Sequence, residues 1–360
     1  MGKFFRDIDW ITILLIIILT SFGLFLLLST GSPLFYQQLA YLFVGIFSAY
    51  AVSRIDSVAL KYFSSYLYVG SLVFLGLTYF SHDIRGASRW IDIGPIQLQP
   101  SELVKPFLLL FFATTMAKFS PRKLKYLPIH AFIFLIPFFL VFKQPDLGSS
   151  LVYASFWITM LFAGGISILF LIFVAIVGVA VVPLLWHFLA PFQKLRIVSF
   201  LNPSYDPRGA GYNAFQAMIS VGSGQLFGRG LGKGTQSHLK FLPEYHTDFI
   251  FAALIEELGF LGGMFVFIVY GIFLLRLIKP FLRRDLYDDV FFFYTVGFFG
   301  MILTQIIVNT GMNMGIIPIT GITLPFVSYG GSSLLSICLC LGFLWALKKG
   351  NENRLIAFEG

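Results

Sequence analysis

One acidic residue stands where a long polar segment gives way to an apolar helix. Asp248 follows Pro243-Glu244-Tyr245-His246-Thr247 and precedes Phe249-Ile250-Phe251-Ala252-Ala253-Leu254-Ile255. A carboxylate at such a mouth loses part of its water, which raises its pKa and suits a general base. A first-turn acid at a helix N-terminus would have the same spacing. His246 is close enough in sequence to tune Asp248, or is a plain polar interface residue. Glu256 and Glu257 follow roughly 12–14 Å along the helix axis, pointing some 80° away from Asp248 and about opposite to it. They read as buried, paired structural acids.

Four other stretches bring charge to polar loops. Pro100-Ser101-Glu102 suits a helix start, and Glu102 and Lys105, three apart, share a face. They are either a structural pair at a helix end or the lining of a polar cavity. Asp146, in Gln144-Pro145-Asp146-Leu147-Gly148, marks a turn and can cap the helix after it. Arg89-Trp90 either anchors at an interface or holds a phosphate and stacks on a sugar. The segment Gly222 to Gly234 carries six glycines, with Arg229 and Lys233 among them. Its backbone N–H groups could hold a phosphate, although G-x-x-x-x-G-K-S/T is absent because Gly234 follows Lys233. H-E-x-x-H, C-x-x-C and G-x-S-x-G are also missing. Asp285, Asp288 and Asp289 read as a solvated loop rather than a metal site.

The elements that must position these residues are membrane helices. Of 360 residues, 58% are hydrophobic and 12% charged, against roughly 25% charged in soluble domains. Mean hydropathy is +0.85. Cys338 and Cys340 suggest neither a disulfide nor zinc. The net charge of +8 suits anionic lipid. Trp10 to Leu28 is too long for a signal h-region and has no cleavage site after it, so it reads as a first span. The expected fold is all-α and polytopic, a single membrane domain over 1–360. About ten transmembrane helices are expected, near 10–28, 35–53, 61–80, 101–118, 128–142, 148–163, 166–188, 249–276, 289–312 and 327–347. One long extracytoplasmic loop, about 189–248, joins helices 7 and 8, and its stretch 213–221 is amphipathic enough to lie in the interface plane. With the N-terminus inside, 15 of the 25 Lys and Arg residues fall on the cytoplasmic side. Both termini are therefore expected in the cytoplasm. The Gly- and Pro-rich polar loops then all fall on the outer face.

On these residues the chain resembles the SEDS family (shape, elongation, division and sporulation proteins). The resemblance spans essentially the whole sequence and is strongest at LPEYHTDFIFAALIEELGFLG (242–262) and NTGMNMGIIPITGITLPFVSYGGSS (309–333). GASRWIDIGPIQLQPSELVK (86–105) and QPDLGSSL (144–151) also fit. Gly234-Thr235-Gln236 looks more like the elongation branch, RodA, than the division branch, FtsW. The resemblance implies a peptidoglycan glycosyltransferase of the bacterial inner membrane. It would polymerise lipid II into a lipid-linked glycan strand on the outer face. Its implied partners are a class B penicillin-binding protein and other elongation-complex membrane proteins, with no nucleic acid. The essential aspartate of the family's H-T-D-F motif falls on Asp248. The acid and base of P-S-E-x-x-K fall on Glu102 and Lys105, and the aspartate of Q-P-D-x-G falls on Asp146.

The implied chemistry agrees with the residues. An acceptor 4-hydroxyl must lose a proton as it attacks the donor's anomeric carbon. One carboxylate suffices as base, and a single displacement inverts the centre to a β-1,4 linkage. The departing polyprenyl pyrophosphate needs cations. Arg208, Arg229, Lys233 and Lys105 are candidates, and a divalent cation (Mg or Mn) could share the role. Two other functions fit the same bundle: a lipid II flippase and a non-catalytic scaffold for a transpeptidase.

Overall fold

The computed structural model describes residues 9–80, 89–94, 96–170, 172, 176, 180, 183, 186–202, 205–206, 209–282 and 288–359. Among them, seven helices are long and apolar enough to cross a membrane. Three come first: α1 (Trp10–Ser29), α2 (Leu34–Ser53) and α3 (Ser57–Leu77). The expected fourth span is broken into α4 (Pro100–Leu103) and α5 (Lys105–Lys118). α6 (Leu127–Lys143) and the shorter α7 (Leu147–Ala163) follow. The expected span at 166–188 lies largely outside the described residues.

The long loop expected at 189–248 is partly helical, with α8 (Pro191–Leu201), α9 (Ala210–Ser223) and the single turn α10 (Thr235–His238). The chain closes with α11 (Ile250–Leu282), α12 (Asp289–Asn313) and α13 (Gly331–Glu359). The all-α expectation needs one correction. Ile91–Ile93 and Ile96–Leu98 pair as an antiparallel hairpin, with Ile91 opposite Leu98 and Asp92 opposite Gln97. Alternating apolar and polar residues on either side of Gly94 (φ 62) supply that pattern.

Two local faults in otherwise regular helices matter for the site. The first is Pro106, which has no N–H to offer the carbonyl of Glu102 one turn back. Ser336 Oγ donates to that carbonyl instead, at 2.6 Å, tying α4 to α13. The second is Gly259 (φ 72, ψ −173), which interrupts α11. The break frees the carbonyls of Glu256 and Glu257, and the amides of Arg229 and Gly230 bond to them at 2.8 and 3.0 Å. Phe260 and Leu261 amides return the exchange to the carbonyls of Gln225 and Leu226, at 2.8 and 3.1 Å. The glycine-rich segment is therefore sewn into the gap, and α9 packs beside it through buried Ala217 and Ser220.

Glu256 and Glu257 lie before the break, both essentially unexposed. Glu256 accepts from Thr235, Gln236, Ser237 and Ser220. Glu257 accepts from Ser29 and the Gly232 amide and contacts His238 Nε2 at 3.0 Å. They are structural acids, each with its own set of partners.

The bundle has two chemically distinct ends. At one, Asp9 caps α1 and pairs with Arg276 at 2.6 Å, and Lys61 pairs with Asp288 at 2.6 Å. Asn351 Oδ1 accepts from the Asp288 amide there, so α1 begins and α13 passes at the same end. The other end gathers Ser29, Asp146 and Asp248.

A methyl group at Gly228 would lie 2.1 Å from the Glu257 carbonyl oxygen, and one at Gly259 would lie 2.3 Å from the Gly228 nitrogen. Both backbones are also left-handed. Gly228→Ala and Gly259→Ala are each expected to cost about 2–4 kcal/mol and to lower Tm in detergent. Gly222→Ala, which meets nothing within 4 Å, is expected to leave Tm unchanged. Equal Tm for all three variants would contradict this account of the kink.

Candidate active site

The main chain at Asp248 is held before its side chain is placed. Asn309 and Asn313 are one turn apart on α12 and fully buried. Both side-chain amides donate to the Asp248 carbonyl at 3.0 Å. Asn313 Oδ1 also accepts the Ala252 amide at 3.0 Å, and Asn309 reaches the Ile322 carbonyl at 2.7 Å. Two further bonds tie the residues just before Asp248 to the segment ahead of α13. Ser328 Oγ donates to the Thr247 carbonyl at 2.7 Å, and the Tyr329 amide donates to the His246 carbonyl at 2.8 Å. Asp248 thus cannot turn without breaking a buried polar network.

Its carboxylate faces a cation that sequence reasoning missed. A Cβ at Gly321 (φ 78) would lie 3.5 Å from Asp248 Oδ2 and 3.8 Å from an Arg196 guanidinium nitrogen. Both groups therefore come to one small patch of backbone. Arg196 is on α8, one turn from Phe192, whose ring it faces at 5.8 Å. Gln193 fixes that helix, accepting the Ala190 amide and donating to the Pro145 carbonyl, both at 2.9 Å. The available signal was the placing of Phe192 and Gln193 four and three residues before Arg196, after Pro191.

Arg89 arrives from the other side. It donates to the carbonyls of Gln144 (3.0 Å) and Pro145, and faces the same Phe192 ring at 5.8 Å. Its guanidinium lies 3.9 Å from Asp146 Oδ1. Asp146 is buried and committed. It caps α7 through the Ser149 amide and accepts from Gln99 (3.2 Å) and Ser101 (3.1 Å). Its turn-and-cap reading holds, with the anchoring of Arg89 added. By contrast, among the described residues no hydrogen bond or ion pair engages the carboxylate oxygens of Asp248, or the guanidinium of Arg196.

The electrostatics follow from crowding. Loss of water pushes the Asp248 carboxyl up to about 6, with Glu244 and Asp146 adding to the rise while Arg196 and Arg89 oppose it. Burial lowers the Arg196 guanidinium from its ordinary value, opposed mainly by Asp248. Burial also lowers His246, against the pull of Glu244 3.9 Å away. That imidazole packs on Tyr245 and Tyr329 rather than on Asp248.

The other expected site residues fall elsewhere. Lys105 is 1% exposed and its ammonium is 2.5 Å from Glu102 Oε1, with Glu102 Oε2 left unpartnered. The pair is buried beneath the cluster and linked to it through Ser101, so Lys105 is no surface cation for a pyrophosphate. Lys233 and Arg229 line a separate cavity against the Gly259 break, roughly 14 Å along the chain axis from Asp248. The amides of residues 228, 229, 230, 232 and 233 are all spent on internal bonds, which leaves fewer backbone donors than a phosphate cradle over this stretch would use. Arg208 lies outside the described residues. No three His, Cys, Asp or Glu side chains converge among the described residues. Asp146 is already bonded to Ser149, Gln99 and Ser101, so among the carboxylates near Arg89 and Arg196 only Asp248 has unspent oxygens among the described residues.

Comparison with known proteins places this arrangement. The family model described as "Cell cycle protein", which joins FtsW, RodA and SpoVE, matches residues 4–353. Stage V sporulation protein E of Bacillus subtilis is 37% identical over 86% of this chain and 85% of its own. Peptidoglycan glycosyltransferase MrdB of Escherichia coli K12 is 36% identical over 86% and 84%. A chain from a peptidoglycan synthase complex, solved for its coordination of polymerization and crosslinking, superposes with a TM-score of 0.82 at 29% identity. That match covers 95% of this chain and 98% of that one. Other relatives carry both FtsW and RodA names. A polytopic helical bundle with this sequence likeness along nearly its whole length belongs to the FtsW/RodA/SpoVE family, the SEDS proteins.

Proposed function

We propose that this chain polymerises peptidoglycan glycan strands from lipid II, with Asp248 as general base. The observation that carries the reading is the pairing of an uncommitted, half-buried carboxylate with an uncommitted guanidinium, Arg196, across Gly321. The acceptor 4-hydroxyl gives its proton to Asp248 as its oxygen forms the new bond to the anomeric carbon. The bond from that carbon to the pyrophosphate oxygen breaks, and polyprenyl pyrophosphate leaves with the electron pair. Arg196 stabilises the leaving charge, a role in which a fixed cation acts strongly where water is scarce. Attack opposite the departing group gives a β-1,4 linkage.

The naming of relatives as peptidoglycan glycosyltransferases supports this class of reaction. In this reading both termini are cytoplasmic, and the Asp248 end of the bundle faces outward in the bacterial inner membrane. The polyprenyl tail stays among the helices. Likeness to a synthase-complex chain supports a class B penicillin-binding protein as partner. Assignment to the elongation branch rests on Gly234-Thr235-Gln236 alone.

The direct test is polymerisation of lipid II by purified protein, with and without a class B penicillin-binding protein. Asp248→Asn is expected to insert and fold normally yet lose about a hundred- to ten-thousandfold in rate. Wild-type rate in that variant would contradict the role of Asp248. No polymer from folded wild type with its partner present would favour translocation or scaffolding.

The pH dependence gives a second test. The base must be ionised, so activity is expected to rise with pH and level off above an inflection near 6. Arg196 favours the ionised form, so Arg196→Gln is expected to move that inflection upward and to lower kcat about a hundredfold. Arg196→Lys is expected to recover part of both. An inflection unmoved by Arg196→Gln would separate the two residues.

A further inference from the structure

We propose that the cavity at the Gly259 break binds the phosphate head of an anionic glycerophospholipid, with an acyl chain lying in the apolar cleft beside it. This goes beyond the polymerase reading and does not depend on it. The cavity holds about 630 Å³ and is lined by Ser223, Gln225, Leu226, Phe227, Arg229 and Lys233, among others. A neighbouring cleft of about 330 Å³ is lined by Phe25, Leu28, Ser29, Leu231 and Gly232. The shared 229–233 turn makes them adjacent, one with two cations and one largely apolar.

Charge selects the head group. Arg229 donates to Thr235 Oγ1 at 3.1 Å, and among the described residues neither Arg229 nor Lys233 makes an ion pair with an acid. The nearby acids, Glu256 and Glu257, turn their oxygens to hydroxyls, amides and His238. The Arg229 and Gly230 amides bond into the kink, that of Gly232 to Ser29 and that of Lys233 to the Gly230 carbonyl, so anion binding falls mainly to the two side chains. Two cations suit a phosphodiester, and exposed cations at a bilayer surface attract anionic lipid.

Exposure selects a lipid over a soluble phosphate. Leu226, Phe227 and Leu231 flank the cations while more than half exposed. Below them, Phe25 and Leu28 on α1 and Phe260 and Leu261 on α11 are also outward-facing and exposed. Phe25, Leu28 and Leu231 line one cleft beside the cations, and Phe260 and Leu261 add exposed apolar surface just past the Gly259 break. The Glu256 and Glu257 carbonyls that hold this turn lie roughly 12–14 Å along the α11 axis from Asp248, which sets the turn apart from the phosphate that leaves in the transfer step.

The test is native mass spectrometry of the full chain, released from nanodiscs of phosphatidylcholine and phosphatidylglycerol. Wild type is expected to retain one phosphatidylglycerol in preference to phosphatidylcholine. The double variant Arg229→Gln/Lys233→Gln is expected to lose about 30-fold of that preference, roughly fivefold per charge. Lys240→Gln, an exposed cation on the same segment, is expected to keep it. Glutamine leaves the backbone bonds of the kink intact, and unchanged Tm in the double variant confirms folding. Equal retention in the double variant would overturn the proposal, as would an equal loss in Lys240→Gln. Displacement of the retained lipid by stoichiometric polyprenyl diphosphate would overturn it too, marking the cavity as a substrate groove. None of these readouts requires polymerase activity.

Discussion

Two asparagine amides on one face of α12 hold a single carbonyl, that of Asp248. Buried amides in an apolar bundle must find partners or cost stability. Asn309 and Asn313 satisfy this by linking the start of α11 to the segment that precedes α13. Once Asp248 is held there, Thr247 and His246 fall into register with Ser328 and Tyr329, and Gly321 comes against the carboxylate. The left-handed backbone and missing side chain at Gly321 leave room for Arg196 to meet Asp248 at the same patch. A side chain at position 321 would stand between them and strain the turn.

Two aspartates in one region have been given different work by their surroundings. Asp146 is saturated by a helix cap, a hydroxyl and an amide, and it spends its charge on Arg89. Asp248 has comparable crowding and, among the described residues, no donors, so its ionised form is less favoured than that of an ordinary carboxylate. The arginines follow the same division. Arg89 is pinned by two carbonyls and an aspartate, whereas Arg196, among the described residues, rests on the face of Phe192 and makes no hydrogen bond. Catalytic groups need this combination of fixed backbone and unspent side chain, since partners already bound would have to be displaced by substrate. The buried Glu102–Lys105 pair lies one layer down. Through Ser101 it joins the short helix α4 to Asp146, and its position depends on the break that Pro106 makes.

Much of this was legible in the residues. The membrane helices were visible because an apolar run of about 20 residues is a strong signal. Asp248 stood out because it marks the change from polar to apolar sequence. Helix breaks were harder to read. Glu256, Glu257 and Gly259 lie in an unbroken apolar pattern, and the bend depends on a distant glycine segment inserting its amides. Arg196 escaped notice because its segment reads as loop, and its partner is 52 positions away in the chain. As cations on the outer side, Arg229 and Lys233 read as pyrophosphate partners, with a phosphate cradle suggested by the glycines around them. The structure spends several of those glycines on the kink instead, leaving Arg229 and Lys233 on an exposed turn.

The central claim is that Asp248 is a desolvated carboxyl biased by Arg196, and infrared difference spectroscopy reads this directly. The protonated carboxyl band that disappears in Asp248→Asn would be titrated in reconstituted wild-type protein. The account requires a midpoint near 6, moving upward when Arg196 is replaced by glutamine. A midpoint near the ordinary carboxylate value of about 4, unmoved by that replacement, would contradict it.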